Sequence, residues 1–137
     1  LTYKHVPFIY YGDEIGMTGA NDPDCRRMMR FEGWNNREEA LFGKVAALNH
    51  LRRGNMALVY GDYIQLHVAE QTFAYARKYF DKSVVVCINN STEEQTLELD
   101  VEALNASGYT ALFGKEFKLE GNKLTITLPA LTSEVLY

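Results

Sequence analysis

The feature that most limits how this chain can fold is a change of period near residue 55. Before it, Leu41, Val45 and Leu48, with Phe42 and Leu51 beside them, recur at helical spacing. After it, apolar residues recur at every second position, the repeat of a strand with one buried face. Ile64, Leu66 and Val68 alternate with Tyr63, Gln65 and His67, and Phe73, Tyr75 and Tyr79 alternate with Thr72, Ala74 and Ala76. Leu97, Leu99 and Val101 alternate with acids, and Leu124, Ile126 and Leu128 with Thr125 and Thr127. Residues 83–88 are apolar on both faces and predict a central strand. Turn signals at Gly61-Asp62, Asn89-Asn90, Ser107-Gly108, Gly114 and Gly121-Asn122 arrive at the intervals of an antiparallel sandwich.

The helical stretch is expected over 36–53. Asn36 is placed to cap it, with Glu39 three positions on as the reciprocal partner of a capping box. Arg52 and Arg53 favour the negative end of the helix dipole, and Gly54 is a stop signal. Upstream, residues 6–11 (Val-Pro-Phe-Ile-Tyr-Tyr) are apolar at every position, which predicts a strand covered on both faces, with Pro7 at its start. Gly12, Gly16 and Gly19 punctuate its exit, so residues 12–35 are expected to form a long loop.

Length and charge remove several function classes. At 137 residues the chain is too short for a complete (β/α)8 barrel, which needs roughly 250. Its net charge is −4 with Lys and Arg scattered, so no basic stripe addresses nucleic acid. No apolar run approaches the roughly 20 residues of a membrane helix, and no membrane partner is expected. Cys25 and Cys87 are isolated thiols, His5, His50 and His67 lack ligand spacing, and no acidic run reads as a calcium loop. No metal or cofactor is expected. The chain does not open on Met, so residue 1 is expected to be a boundary set by cloning or processing, and the compartment stays open.

Two carboxylate groups invite a chemical reading. Asp13 and Glu14 are adjacent, and on a continuing strand adjacent side chains point to opposite faces, so they cannot line one centre as paired glycosidase acids do. They read as structural acids, and no catalytic residue is assigned. Asp22-Pro-Asp-Cys-Arg-Arg27 offers more: the Asp22 carboxylate accepts hydrogen bonds and the Arg26 guanidinium donates a planar fork, a pairing that suits a polyol. From spacing alone an internal Asp22–Arg26 salt bridge is the stronger reading. Tyr10, Tyr11, Phe31 and Trp34 could stack on sugar faces or pack internally, with Trp34 the most exposed by context. The Met28-Met29 pair reads as packing.

Residues 6–17, Val-Pro-Phe-Ile-Tyr-Tyr-Gly-Asp-Glu-Ile-Gly-Met, resemble the eighth-strand segment of α-amylase superfamily glycoside hydrolases. The continuation to Asp22-Pro-Asp-Cys-Arg-Arg27 is similar to the neopullulanase, cyclomaltodextrinase and maltogenic amylase group. The order of helix, Arg-rich turn, Leu58 to Gly61-Asp62 and an Asn-Asn-Ser turn extends the resemblance to the whole chain. Phe31-Glu32, where many relatives carry Trp-Asp, and His5, where Gly is frequent, depart from the pattern. The resemblance implies a mainly β fold: residues 1–55 as the last strand (6–11), loop (12–35) and helix (36–53) of a (β/α)8 barrel, then a Greek-key type antiparallel β-sandwich over 56–137. It implies a parent that hydrolyses α-1,4-glucosidic bonds of starch or maltodextrin with retention, using an Asp nucleophile, a Glu acid/base and a second Asp, all upstream of residue 1. It also implies that Asp22 and Arg26 hold glucose units, while Tyr10 to Glu14 is architectural.

The chain alone is then expected to be inert, and its partners to be the remaining barrel and, through the parent, an α-glucan. An uncovered barrel strand is expected to pack irregularly, lose order or self-associate. Two rival readings remain open at this point: a carbohydrate-binding module using Tyr63, Tyr75, Tyr79 or Tyr109, and a non-catalytic amylase-like protein.

Overall fold

The computed structural model describes residues 1–137 as two compact units, one of Leu1 with His5–Gly54, the other of Thr2–Lys4 with Asn55–Tyr137.

The first unit is built on helix α1, Asn36–Gly54. Its cap lies one residue earlier than the sequence suggests. Asn35 Oδ1 accepts from the amides of Arg37 (2.9 Å) and Glu38 (3.1 Å), and Glu38 returns a carboxylate oxygen to the Asn35 amide at 2.8 Å. That is a capping box with Asn35 and Glu38 in the roles expected of Asn36 and Glu39; the polar run Asn-Asn-Arg-Glu-Glu over 35–39 left the register ambiguous. Near the other end, Arg52 is buried and donates to the Leu1 and His5 carbonyls, each at 2.7 Å.

Residues 6–11 do not form the expected strand. They run as irregular backbone with Val6 and Phe8 almost fully exposed. A strand exists through bonds to a neighbour, and no strand of this unit lies beside them. The chain then turns through a 3-10 segment, Asp13–Ile15, between Gly12 and Gly16, both at positive φ. Ile15 is the one fully buried side chain it delivers, packed against α1.

The second unit opens with a short helix that the period-two reading did not foresee, α2, Met56–Tyr60. Asn55 caps it, its Oδ1 accepting from the Ala57 amide at 3.0 Å. Seven strands follow: β1 Asp62–Val68, β2 Thr72–Tyr79, β3 Lys82–Asn89, β4 Gln95–Asp100, β5 Phe117–Glu120, β6 Lys123–Leu128 and β7 Thr132–Leu136. They form two antiparallel sheets, ordered β1-β2-β3-β7 and β4-β6-β5. The chain leaves the first sheet after β3, builds the second, and returns as β7 beside β3, so β3 has a neighbour on each edge, and both its faces are buried, as its two-faced apolar pattern requires.

The core lies between the sheets. Ala74, Ala76, Val85, Cys87 and Leu136 enter it from one, and Leu97, Leu99, Leu124, Ile126 and Leu128 from the other. On β2 it is the alanines that face this core, and the alternate residues Tyr75 and Arg77 are buried on the opposite face. There Thr2 Oγ1 and the Tyr75 hydroxyl share a hydrogen bond of 2.7 Å, and Tyr3 meets Tyr63 and Tyr75 edge-on at 5.4 and 5.7 Å. Arg77 donates to the carbonyls of Gly61 (2.8 and 3.2 Å) and Thr2 (3.2 Å).

Two further buried polar side chains hold irregular backbone. Asn89 donates through Nδ2 to the carbonyls of Glu93, Leu128 and Pro129 at 2.8–3.0 Å, and its Oδ1 accepts from the Ser91 amide and hydroxyl at 2.9 and 2.7 Å. The fully buried Glu134 accepts from the amides of Phe113, Lys115 and Val135 at 2.7–2.8 Å. The same stretch protects the edge of β7: Thr110 and Tyr137 exchange amide-to-carbonyl bonds of 2.8 and 3.0 Å, and the Leu112 amide donates to the Val135 carbonyl.

Candidate functional site

The loop between Gly16 and Trp34 carries the residues singled out from the sequence. Asp24 holds it together. Its two carboxylate oxygens take a fork from Arg27 at 2.7 and 2.8 Å, and one of them also accepts the Ala20 amide at 2.8 Å. The Arg27 guanidinium, then the Ala20 amide, hold the Asp24 carboxyl below its ordinary range, and Asp24 raises Arg27 in return. Gly19 permits this closure, because a Cβ there would stand 2.9 Å from the Cα of Cys25. Sequence reasoning passed over this fork; the i, i+3 spacing of an acid and an arginine across a short turn was its only signal.

With Asp24 and Arg27 committed to each other, Asp22 and Arg26 are left on the outside. Their side chains meet at 2.6 Å (Asp22 Oδ1 to Arg26 Nη2), and both are about two-thirds exposed. They flank a cis Asp22–Pro23 peptide and a 3-10 turn, Asp24–Arg26. The two readings of this pair are therefore compatible: it is an ion pair, and it is an accessible one. An exposed pair of this kind contributes only about 0–1 kcal/mol to stability, so a polyol can exchange with it at little expense.

The aromatic residues divide. Tyr11 donates to the Arg27 carbonyl at 3.0 Å and its ring lies 4.6 Å from that of Tyr10. Trp34 is half-buried, donates through Nε1 to the Arg30 carbonyl at 3.1 Å, and leans on Phe42 at 5.0 Å. It is a packing residue of the helix start rather than the open platform its polar context suggested. Phe31 is exposed.

Asp13 and Glu14 turn their carboxylates back onto their own turn, accepting the amides of Tyr10 (3.1 Å) and Gly12 (2.8 Å). His67 shares a hydrogen bond with Thr72 at 2.8 Å, and no group of three or more His, Cys, Asp or Glu residues converges on a point where a metal could sit. Of the tyrosines weighed as sugar platforms in the second unit, Tyr75 is buried, Tyr109 is half-buried with its hydroxyl 2.9 Å from Ser83 Oγ, and Tyr79 lies on the surface.

The two-sheet antiparallel unit belongs to a known class of β-domain, and the chain is a member of the alpha-amylase C-terminal domain family, whose pattern matches residues 61–136. Relatives extend the likeness into the first unit. The cyclomaltodextrinase of Thermoanaerobacter pseudethanolicus is 39% identical over 124 residues, covering 90% of this chain and 21% of that protein. Neopullulanase 2 of Thermoactinomyces vulgaris is 37% identical over 142 residues, covering 100% and 24%. Among solved structures, the acarbose-soaked debranching enzyme of Nostoc punctiforme superposes with a TM-score of 0.83 at 31% identity, over 99% of this chain and 26% of that one. The chain thus spans a quarter or less of the length of the curated relatives it matches.

Proposed function

We propose that this chain is the C-terminal part of an α-amylase-type glycoside hydrolase acting on starch, maltodextrin or related α-glucans. The likeness to cyclomaltodextrinase and neopullulanase along the chain is the observation that carries this reading. Residues 1–55 supply the end of the catalytic barrel, including part of its sugar-binding loop, and residues 56–137 a sandwich that serves as a packing platform for it.

In this reading Asp22 and Arg26 position glucose units. The carboxylate accepts from one or two sugar hydroxyls, and the guanidinium donates to their neighbours. Their mutual ion pair holds both groups in place before the sugar arrives. Neither residue moves a proton in the reaction. Chemistry requires a nucleophile and an acid/base that this segment does not contribute: Asp13 and Glu14 are engaged with backbone amides, and Asp24 with Arg27.

Two experiments test the proposal. The purified 137-residue chain incubated with maltodextrin should release no reducing ends; release at a rate proportional to chain concentration would overturn the claim of inactivity. In the longer enzyme carrying this segment, Asp22→Ala or Arg26→Ala should raise KM for maltodextrin about tenfold with kcat little changed, the signature of lost ground-state binding by one charged hydrogen-bonding group. An unchanged KM in both variants would remove the sugar-binding role.

A further inference from the structure

Two acids and two arginines share the six residues from Asp22 to Arg27, and they can pair in two complete ways. The structure holds one of them: Asp22 with Arg26 at 2.6 Å, and Asp24 with Arg27 through a fork at 2.7 and 2.8 Å. The other, Asp22 with Arg27 and Asp24 with Arg26, uses the same four groups, and the long stem of arginine gives it the reach.

Contacts beyond the four groups choose between these pairings. Residues Asp24–Arg26 form a 3-10 turn with Arg27 at its end. Side chains three apart eclipse in such a turn, and side chains two apart diverge. Asp24 therefore meets Arg27 and turns away from Arg26. The Ala20 amide donates to the Asp24 carboxylate at 2.8 Å, and Gly19 lets the backbone close there, where a Cβ would stand 2.9 Å from the Cα of Cys25. The Tyr11 hydroxyl donates to the Arg27 carbonyl at 3.0 Å and ties the fork to the segment before the loop. Asp22 and Arg26 stand outside this frame, open to solvent.

We propose that Asp24 and Arg27 are positioning residues for glucose binding: by neutralising each other they keep a second carboxylate away from Arg26 and a second guanidinium away from Asp22. The inference rests on the reading of Asp22 and Arg26 as the groups that hold glucose units. Neither Asp24 nor Arg27 touches sugar in it, and neither moves a proton. Either one, once released, competes for a member of the outer pair. An even partition of Asp22 between two guanidiniums halves the binding-competent population, so releasing one charge raises KM about twofold or more. A fork that merely stiffened the loop would make losing both groups worse than losing one. Mutual neutralisation requires the reverse.

The test is steady-state kinetics on maltodextrin in the longer enzyme carrying this segment, with neutral variants of similar shape. Asp24→Asn keeps an oxygen for the Ala20 amide and releases Arg27, and Arg27→Gln releases Asp24. Both side chains are half-exposed, so neither change endangers the fold. Each single variant should raise KM about two- to fivefold with kcat little changed. The double variant, Asp24→Asn with Arg27→Gln, leaves no free charge and should return KM to within about 1.5-fold of the parent. In a background of Asp22→Ala with Arg26→Ala, Asp24→Asn should add nothing further, because it acts only through that pair. Single variants with unchanged KM, while Asp22→Ala and Arg26→Ala raise it, would overturn this inference alone. A double variant as impaired as the singles would overturn it too and assign the fork to loop stiffness. An unchanged KM in both Asp22→Ala and Arg26→Ala would remove the sugar-binding pair, and this inference with it.

Discussion

Asn89→Ala should cost the sandwich about 3 kcal/mol, and the structure shows why. The side chain is buried and makes five hydrogen bonds, three given and two received. Ser91 and Glu93 lie toward solvent, so their groups regain water when the amide is removed, and each lost bond there weighs about 0.5–1 kcal/mol. The Leu128 carbonyl is buried where it meets Asn89, and its share rises toward the about 1–3 kcal/mol of an orphaned acceptor. At about 4–8 °C per kcal/mol for a unit of this size, the melting temperature should fall about 15 °C. Thermal unfolding of the whole chain, followed by circular dichroism in the β-sheet region, reads this directly. Asn89→Asp is the sharper control. It keeps the acceptor and turns the donor into an anion facing three carbonyl oxygens, so at neutral pH it should be at least as damaging as alanine. Its buried carboxyl would have a folded pKa above the unfolded value, so its deficit relative to the parent should shrink as pH falls. A loss below about 1 kcal/mol for Asn89→Ala, or a neutral Asn89→Asp, would refute the account of this residue as the clasp of the turn.

Other expectations follow from the same geometry. Gly61→Ala should destabilise by about 1–3 kcal/mol, because its Cβ would stand 2.8 Å from the Lys78 carbonyl oxygen and closer still to that of Ala57; a melting temperature equal to the parent's would contradict the close packing of α2 on β2. Burial, reinforced by Glu134, pushes the Cys87 thiol up to about 12 from an ordinary 9. The unfolded chain therefore sheds this proton first, and stability should fall by up to about 1.4 kcal/mol per pH unit between about pH 9 and 12, with the raised Tyr75 and Tyr109 adding in the same sense. Native chain should accordingly show one reactive thiol, Cys25, to an aromatic disulfide reagent and two after denaturation; rapid labelling of Cys87 in the native state would count against its burial. Val6, Phe8, Met28 and Phe31 are each more than four-fifths exposed, so the isolated chain should associate at micromolar concentrations in size-exclusion runs, and Phe8→Ser should reduce this; a monomer at all concentrations would show that these faces are tolerated in water.

What the sequence disclosed depended on whether the pattern was periodic. Leu97, Leu99, Leu124, Ile126 and Leu128 announced their strands because each sits on a face with one buried side. Helix α1 was equally plain, though its cap was misplaced by one because Asn35 and Asn36 are chemically alike and either is followed three residues later by Glu. The α2 helix was missed since five residues are too few for a period to show, and Met-Ala-Leu-Val-Tyr reads as well in a strand. Residues 6–11 mark a different limit. Their composition states what surroundings they suit, both faces covered, but a strand also needs hydrogen-bonding neighbours, and composition cannot provide them. At the loop, Asp22 and Arg26 were visible through their resemblance to a known group, whereas the Asp24–Arg27 fork was hidden among four charges in six residues. Tyr79 was weighed from the sequence, but its contact with Tyr60 was not legible, because the two are nineteen positions apart and only the packing of α2 on β2 brings them together.

Glu134 grips the segment at 113–115 by backbone amides alone. A hold of that kind does not read the side chains it secures. Residue 115 can change identity while its amide stays held, and the substitution that would release it is proline, which removes the hydrogen that Glu134 grasps. A library randomised at position 115 should therefore return folded chains varied at that position and empty of proline, with no compensating change at 134 to betray that the residues touch.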